Sequence, residues 1–229
     1  TAPTRSGAKF CDQCGARLDV AAAPPPAAVA ASGYTPKHLA DKILRSRAAM
    51  EGEKKRVTVL FADLKNSTRL AEQAGAEAWH EILDGVLSRL ASAVHRYEGT
   101  VNQYTGDGVM ALFGAPIAHE DHAQRACLAA LAMQNELKSF AAQIESARGL
   151  KLGLRVGLNS GEVIVGRIGD DLRMDYTAQG ATTHLAARME QMCEPGRITL
   201  SRYTAALVRE RFELRPLGER EVHGLAHPL

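Results

Sequence analysis

The sequence predicts an α+β domain: a ferredoxin-like βαββαβ core with an antiparallel sheet, followed by C-terminal additions. Three observations lead there. Val57 to Phe61 is a β-branched and aromatic run that leads into apolar residues spaced at three and four, a change from strand to helix periodicity. Two short β-type runs then flank Asp107-Gly108, a dipeptide that turns hairpins. A second long helical pattern and another apolar stretch follow. Strand, helix, strand, strand, helix, strand is the ferredoxin-like order, with the helices layered on one face of the sheet. Polar residues are then expected at the rim of the other face.

Taken in order, strand 56–64 precedes a helix expected over 68–97. Trp79, Ile82, Leu83, Val86, Leu90 and Val94 give that helix an apolar stripe, with Trp79 in the core. Runs 100–104 and 109–113 form the hairpin, with Asp107 at its tip. Gly114-Ala115-Pro116 ends the sheet, and a helix is expected over 119–147, lined by Ala123, Cys127, Ala130, Leu137, Phe140 and Ile144. Runs 151–159 and 162–168 read as a strand pair joined at Ser160-Gly161. A strand at 173–179, a helix at 181–193, a strand at 198–200, a helix at 203–209 and a strand at 212–217 complete the additions.

Four regions precede or make up this plan. Residues 1–20 contain Cys11 and Cys14 with Gly15, a knuckle resembling the second half of a zinc ribbon. A closed zinc site needs four ligands and the first cysteine pair is missing, so this fragment is not expected to hold zinc alone. Residues 21–33 are an Ala/Pro-rich linker, and 34–54 a helical lead-in with Thr35 as N-cap and Pro36 at its first position. That helix either packs on the domain or passes a signal into it. The main domain is expected over 55–229. Thr1 in place of methionine, and the stop at Leu229, read as cut ends with further regions beyond them.

Composition narrows the function. Net charge is +2, and no basic-aromatic strip of the kind nucleic-acid binders carry is present. No apolar run approaches the roughly 20 residues that span a bilayer, and no signal-peptide pattern opens the chain. Four cysteines do not make a disulfide framework. The expected compartment is the cytoplasm, without a nucleic-acid or membrane partner.

The chemistry concentrates in FADLKNST, residues 61–68. A carboxylate at the exit of a buried strand is costly without a cation beside it. Asp63 holds that place, and Asn66, Ser67 and Thr68 follow as cap-type residues at a helix N-terminus. Asp63 alone could simply cap the helix, and Asp107 alone could simply be a turn residue. Together they put two hard oxygen donors at one rim, suited to Mg²⁺ carrying a nucleotide phosphate. His119 and His122 stand beside Glu120 and Asp121, and an acidic helix start is preferred there to a metal site.

The pieces VTVLFADLKNST, NQYTGDGVMALFG, LRVGLNSGEVIVGRIG, DYTAQGATTHLAARME and PLGEREVHGLA occur in the order of the class III nucleotidyl cyclases, and residues 55–229 resemble their catalytic domain. The resemblance implies cyclisation of a nucleoside triphosphate with two Mg²⁺ (or Mn²⁺) ions at each composite site of a homodimer. It makes Asp63 and Asp107 the metal aspartates, with the Leu64 carbonyl as a further ligand. Asn66, Ser67 and Thr68 then receive the β- and γ-phosphates, and Arg188 stabilises the transition state. Two positions depart from the family pattern. His184 stands where an asparagine orients the ribose, and His223 where a lysine holds the triphosphate, with Arg173 as a further phosphate contact. Gln103 and Thr177 fall at the base-reading positions. The Gln103 amide can donate to adenine N1 or, flipped, accept from guanine N1. Thr177 resembles the adenylate subgroup, so ATP and an adenylate cyclase are expected. A guanylate cyclase, and a catalytically weak domain that senses nucleotide for its neighbours, are the alternatives.

Overall fold

The computed structural model describes residues 53–165 and 181–218, all of them in the compact unit Tyr34–Leu229. The segment 1–52, with the expected knuckle and lead-in helix, and the strand expected at 173–179 lie outside the described residues. The domain is α+β. Its strands are β1 (Glu53–Leu64), β2 (Thr100–Tyr104), β3 (Gly108–Phe113), β4 (Leu154–Val165) and β5 (Ile198–Leu200). Its helices among the described residues are α1 (Ser67–Ala74), α2 (Ala76–Arg96), α3 (His122–Arg148), α4 (Ala181–Gln191) and α5 (Arg202–Val208). The sheet runs β2-β3-β1-β4-β5. Its first four strands are antiparallel in ferredoxin-like order, and β5 joins parallel to β4, so the sheet is mixed rather than wholly antiparallel.

The alternation along β1 sorts two cores. Leu60, Ala62 and Leu64 face the layer of α1, α2 and α3 and meet Val86, Leu90, Phe113, Met133 and Leu158 there. Val57 and Val59 face the other way, with Leu112, Val163 and Ala186 of α4. Each fully buried side chain of this size contributes roughly 1.5–3 kcal/mol. The helices are therefore not confined to one face. Glycine explains how α4 reaches the second one: a Cβ on Gly157 would overlap the backbone of Met189 and Glu190, and one on Gly161 would meet Thr182 Oγ1 at 2.6 Å.

Four further expectations are corrected. The helix foreseen over 68–97 is two helices, because Gly75 (φ 79°, ψ 157°) takes a backbone conformation open to glycine. Its N–H ends α1 on the Ala71 carbonyl, and its carbonyl starts α2 by accepting from Trp79. Trp79 packs on the core from a partly buried position. The strand pair joined at Ser160-Gly161 is one 12-residue strand, β4, paired with β1 along its whole length. Ser160 is no turn residue there: its hydroxyl bonds Thr58 Oγ1 at 2.8 Å and Thr204 Oγ1 at 2.9 Å. Residues 213–218 carry no strand; the Phe212 N–H closes on the Val208 carbonyl, and its side chain packs on the core just after α5. Finally, α3 starts at His122, with no acidic residue in its first turn and Asp121 at its N-cap bonded to Arg125 at 2.7 Å.

His122 turns inward. It is 6% exposed and shares a 2.8 Å hydrogen bond with Thr58 Oγ1. Burial first, then the charge of Arg56, holds its pKa below the ordinary 6.5. The unfolded chain therefore takes up this proton at a higher pH than the folded one. Stability is lost as pH falls below about 6.5 toward the lower folded value. The urea midpoint should fall less between about pH 7.5 and 5.5 in His122→Gln than in the wild type, and an equal fall would assign the response to other groups. Gly157→Ala should cost about 1–3 kcal/mol by overpacking α4 against β4, read from the same denaturation curves.

Candidate active site

The site starts from where β1 leaves the sheet. Asp63 is its penultimate residue, opposite Gly108 of β3 on one side and Arg155 of β4 on the other. Neighbouring strands lie about 4.8 Å apart, so both flanking residues border the carboxylate directly. Gly108 has no room for a side chain, since a Cβ would overlap the Ala62 carbonyl and approach Asp63 Cα. The bare glycine lets β3 lie close against the end of β1, and Asp107 stands just before it in the three-residue turn 105–107, closed by Thr105 N–H on the Gly108 carbonyl. Asp107 thereby comes within hydrogen-bonding reach of the Asp63 carboxyl. Burial pushes the Asp63 pKa up to about 6, with Asp107 adding to the rise and Arg155 opposing it. Two carboxylates forced together in partial burial are short of positive charge.

One cation is supplied from within the chain. Arg155 donates from one guanidinium nitrogen to Asp63 Oδ2 at 2.7 Å, and the same nitrogen lies 2.7 Å from Glu190 Oε1 of α4. Glu190 is 9% exposed at its side chain. Its pKa also rises to about 6, by burial first, with Arg155 opposing and Asp63 and Asp107 reinforcing. Neither Arg155 nor Glu190 was among the expected site residues. A signal for each was present: an arginine inside the apolar strand LRVGL, and a glutamate on the inward stripe of α4 with Leu185, Ala186 and Met189.

Beyond Asp63, Leu64 is buried, and Lys65 N–H closes the sheet on the Gly153 carbonyl at 2.8 Å. Asn66 then turns the chain with φ 60° and ψ 32°. In that left-handed conformation its side chain does not cap α1, contrary to the capping expected of it. With no side-chain cap and no acidic residue in the first turn, the helix N-terminus at Ser67 and Thr68 keeps its positive end open beside Asp63.

Gln103 joins this face through an irregularity. The register of β2 against β3 slips between Val101 and Gln103, which sets Gln103 rather than Asn102 opposite Met110. Met110 is opposite Phe61, so exposed Gln103 shares the face that carries Asp63. On α4, His184 and Arg188 lie on the outward side, and Arg188 donates to Gln191 Oε1 at 2.7 Å. Arg188 precedes inward-facing Glu190 by two residues, about 200° around the helix. One chain thus directs its carboxylates and Arg188 to different places. Arg173, Thr177 and His223, like Cys11 and Cys14, lie outside the described residues. His119 pairs with Glu98 at 3.3 Å. Among the described residues no helix is long and apolar enough to cross a membrane.

This fold, with an acid pair at the strand exit, is that of a nucleotidyl cyclase domain, and the relatives agree. The sequence profile of the adenylate and guanylate cyclase catalytic domain matches residues 50–228. The chain belongs to that family. It is 32% identical over 199 residues to adenylate cyclase 1 of Rhizobium meliloti (strain 1021), covering 83% of this chain and 29% of that protein. It is 29% identical over 190 residues to guanylate cyclase soluble subunit beta-2 of Rattus norvegicus, covering 82% and 27%. The crystal structure of the adenylyl cyclase CyaB from P. aeruginosa superposes with a TM-score of 0.73 at 34% identity, covering 78% of this chain and 93% of that one. The guanylyl cyclase Cya2 gives 0.73 at 30% identity, covering 78% and 91%. The chain spans less than a third of the length of these curated relatives.

Because Asp107 raises the Asp63 pKa, its removal should relieve repulsion at neutral pH. Asp107→Ala should melt at or above the wild-type temperature at about pH 7.5. A loss of more than about 1 kcal/mol, the typical effect of a destabilising substitution, would give Asp107 a structural role instead.

Proposed function

We propose that the chain is an adenylate cyclase that forms 3′,5′-cyclic AMP and pyrophosphate from ATP at the interface of a homodimer. The observation that carries this reading is the division within one chain. Asp63 and Asp107 stand beside an open helix N-terminus, while Arg188 and His184 face away from them on α4. A second copy can bring its own Arg188 to the acid pair, and twofold symmetry then builds two sites.

The donor set fits a hard divalent cation. It offers two close carboxylates and the Leu64 carbonyl, and no cluster of three histidine, cysteine or acidic side chains exists among the described residues. Mg²⁺ favours such sparse protein ligation, with phosphate oxygens and water completing the shell. Two bound Mg²⁺ or Mn²⁺ ions would acidify the ribose 3′-hydroxyl and neutralise phosphate charge. The chain's own groups do the rest. Asp63, Asp107 and the Leu64 carbonyl would hold those ions at the strand exit, where the phosphates of the nucleotide approach. The N–H groups from Asn66 to Thr68 take the β- and γ-phosphates, with Arg173 and His223 as further contacts. The ribose 3′-oxygen forms a bond to the α-phosphorus, the bond to the pyrophosphate oxygen breaks, and the hydroxyl proton is lost to solvent. Arg188 of the other protomer meets the charge that grows on the α-phosphate, and His184 orients the ribose. Gln103 and Thr177 read the base. ATP as substrate places the working domain on the cytoplasmic side.

The deciding assay is turnover of ATP and of GTP by the purified chain with Mg²⁺ and then Mn²⁺. Cyclic AMP as the main product supports the reading, whereas cyclic GMP would make the chain a guanylate cyclase through the flipped Gln103 amide. Nucleotide binding without either product would make it a sensor. Asp63→Ala and Arg188→Ala chains should each be inactive alone. Mixed at equal amounts with free exchange, they should recover up to about a quarter of wild-type activity, because half the dimers carry one intact site. No recovery despite confirmed exchange would rule out the shared site.

A further inference from the structure

We infer that Glu190 is a positioning residue that sets how firmly Arg155 holds Asp63, and thereby how readily the acid pair accepts a divalent cation. The inference rests on the cation-site reading above and extends it to a residue on a different element. A single guanidinium nitrogen of Arg155 lies 2.7 Å from Asp63 Oδ2 and 2.7 Å from Glu190 Oε1. The arginine is thus shared between a carboxylate at the site and one behind it. Asp63 is the more accessible of the two, 24% exposed at its side chain against 9% for Glu190.

The placement is built rather than incidental. Gly157 lets the backbone of α4 at Met189 and Glu190 lie directly on β4, two residues from Arg155 on the same face. Burial fixes where the Glu190 carboxylate can reach. A cation entering between Asp63 and Asp107 competes with the Arg155 guanidinium for the Asp63 carboxylate. With Glu190 present, the displaced guanidinium keeps a buried partner, and the displacement costs little. Without that carboxylate, Arg155 has Asp63 alone as its counter-charge and competes harder with the incoming ion. Glu190 also sits on the helix that carries Arg188, so the same contact ties the acid half of a protomer to its arginine half.

The test is Mn²⁺ binding by the full chain, without nucleotide, followed by the loss of the free-ion electron paramagnetic resonance signal. Asp63→Asn should abolish binding. Glu190→Gln should weaken it about tenfold, within the range of coupling measured for close charge pairs. Glu190→Asp keeps the charge but withdraws it by one methylene, and should weaken binding about threefold by the same reasoning. In an Arg155→Gln background, where the competing cation is gone, Glu190→Gln should change affinity by less than about twofold. Wild-type affinity in Glu190→Gln, with Asp63→Asn inactive in binding, overturns the role of Glu190 and leaves the cation site standing. If Glu190→Gln does not fold, wild-type affinity in Glu190→Asp overturns it equally. An undiminished tenfold effect in the Arg155→Gln background would mean that Glu190 acts by its own charge, which also overturns the inference. Retained binding in Asp63→Asn removes the cation site itself, and the positioning role with it.

Discussion

The ladder between β1 and β4 is the constraint on which everything else depends. It pairs Glu53 with Val165 at one end and Leu64 with Leu154 at the other. The register sets Arg155 opposite Asp63, and it aligns Gly157, Asn159 and Gly161 as the row on which α4 seats. A slip of one residue would turn every side chain of β4 to the opposite face. Arg155 would then enter the apolar layer beneath α3, and Val156 would border the acid.

The ladder is pinned by polar groups as well as apolar ones. Thr58 of β1 bonds both His122 of α3 and Ser160 of β4. Ser160 continues to Thr204 of α5, and Ser201 donates to Asn159, whose amide reaches the Thr182 carbonyl at the start of α4. Such a chain of satisfied buried groups tolerates one register, since any shift would leave several of them without partners. Apolar packing alone discriminates less sharply between neighbouring registers.

Much of this was legible in the sequence, and the rest fails for identifiable reasons. The strand order, the hairpin and the pair Asp63 and Asp107 follow from local periodicity and turn chemistry, which short windows contain. The single strand β4 was misread because Ser160-Gly161 looks like a turn locally. Only the distant partners Thr58, Thr182 and Thr204 explain a serine and a glycine there. The same limit hid Arg155 and Glu190. Their residue types were conspicuous, but the contact joins positions 63, 155 and 190, which only the folded register brings together. The face taken by α4 was likewise invisible, because it depends on missing side chains at Gly157 and Gly161 rather than on any apolar stripe.

The break at Gly75 separates two kinds of helix. The long α2 buries Ile82, Val86, Leu90, Ala91, Ala93 and Val94, whereas the eight-residue α1 buries only Leu70. Each end of α1 is a residue with positive φ, Asn66 before it and Gly75 after it. A segment so lightly anchored opens locally at a small fraction of the global unfolding free energy. The amides at the N-terminus of α1, next along the chain from Asp63, therefore belong to a lightly anchored helix. An anion bound by those amides would give up part of its affinity to ordering them.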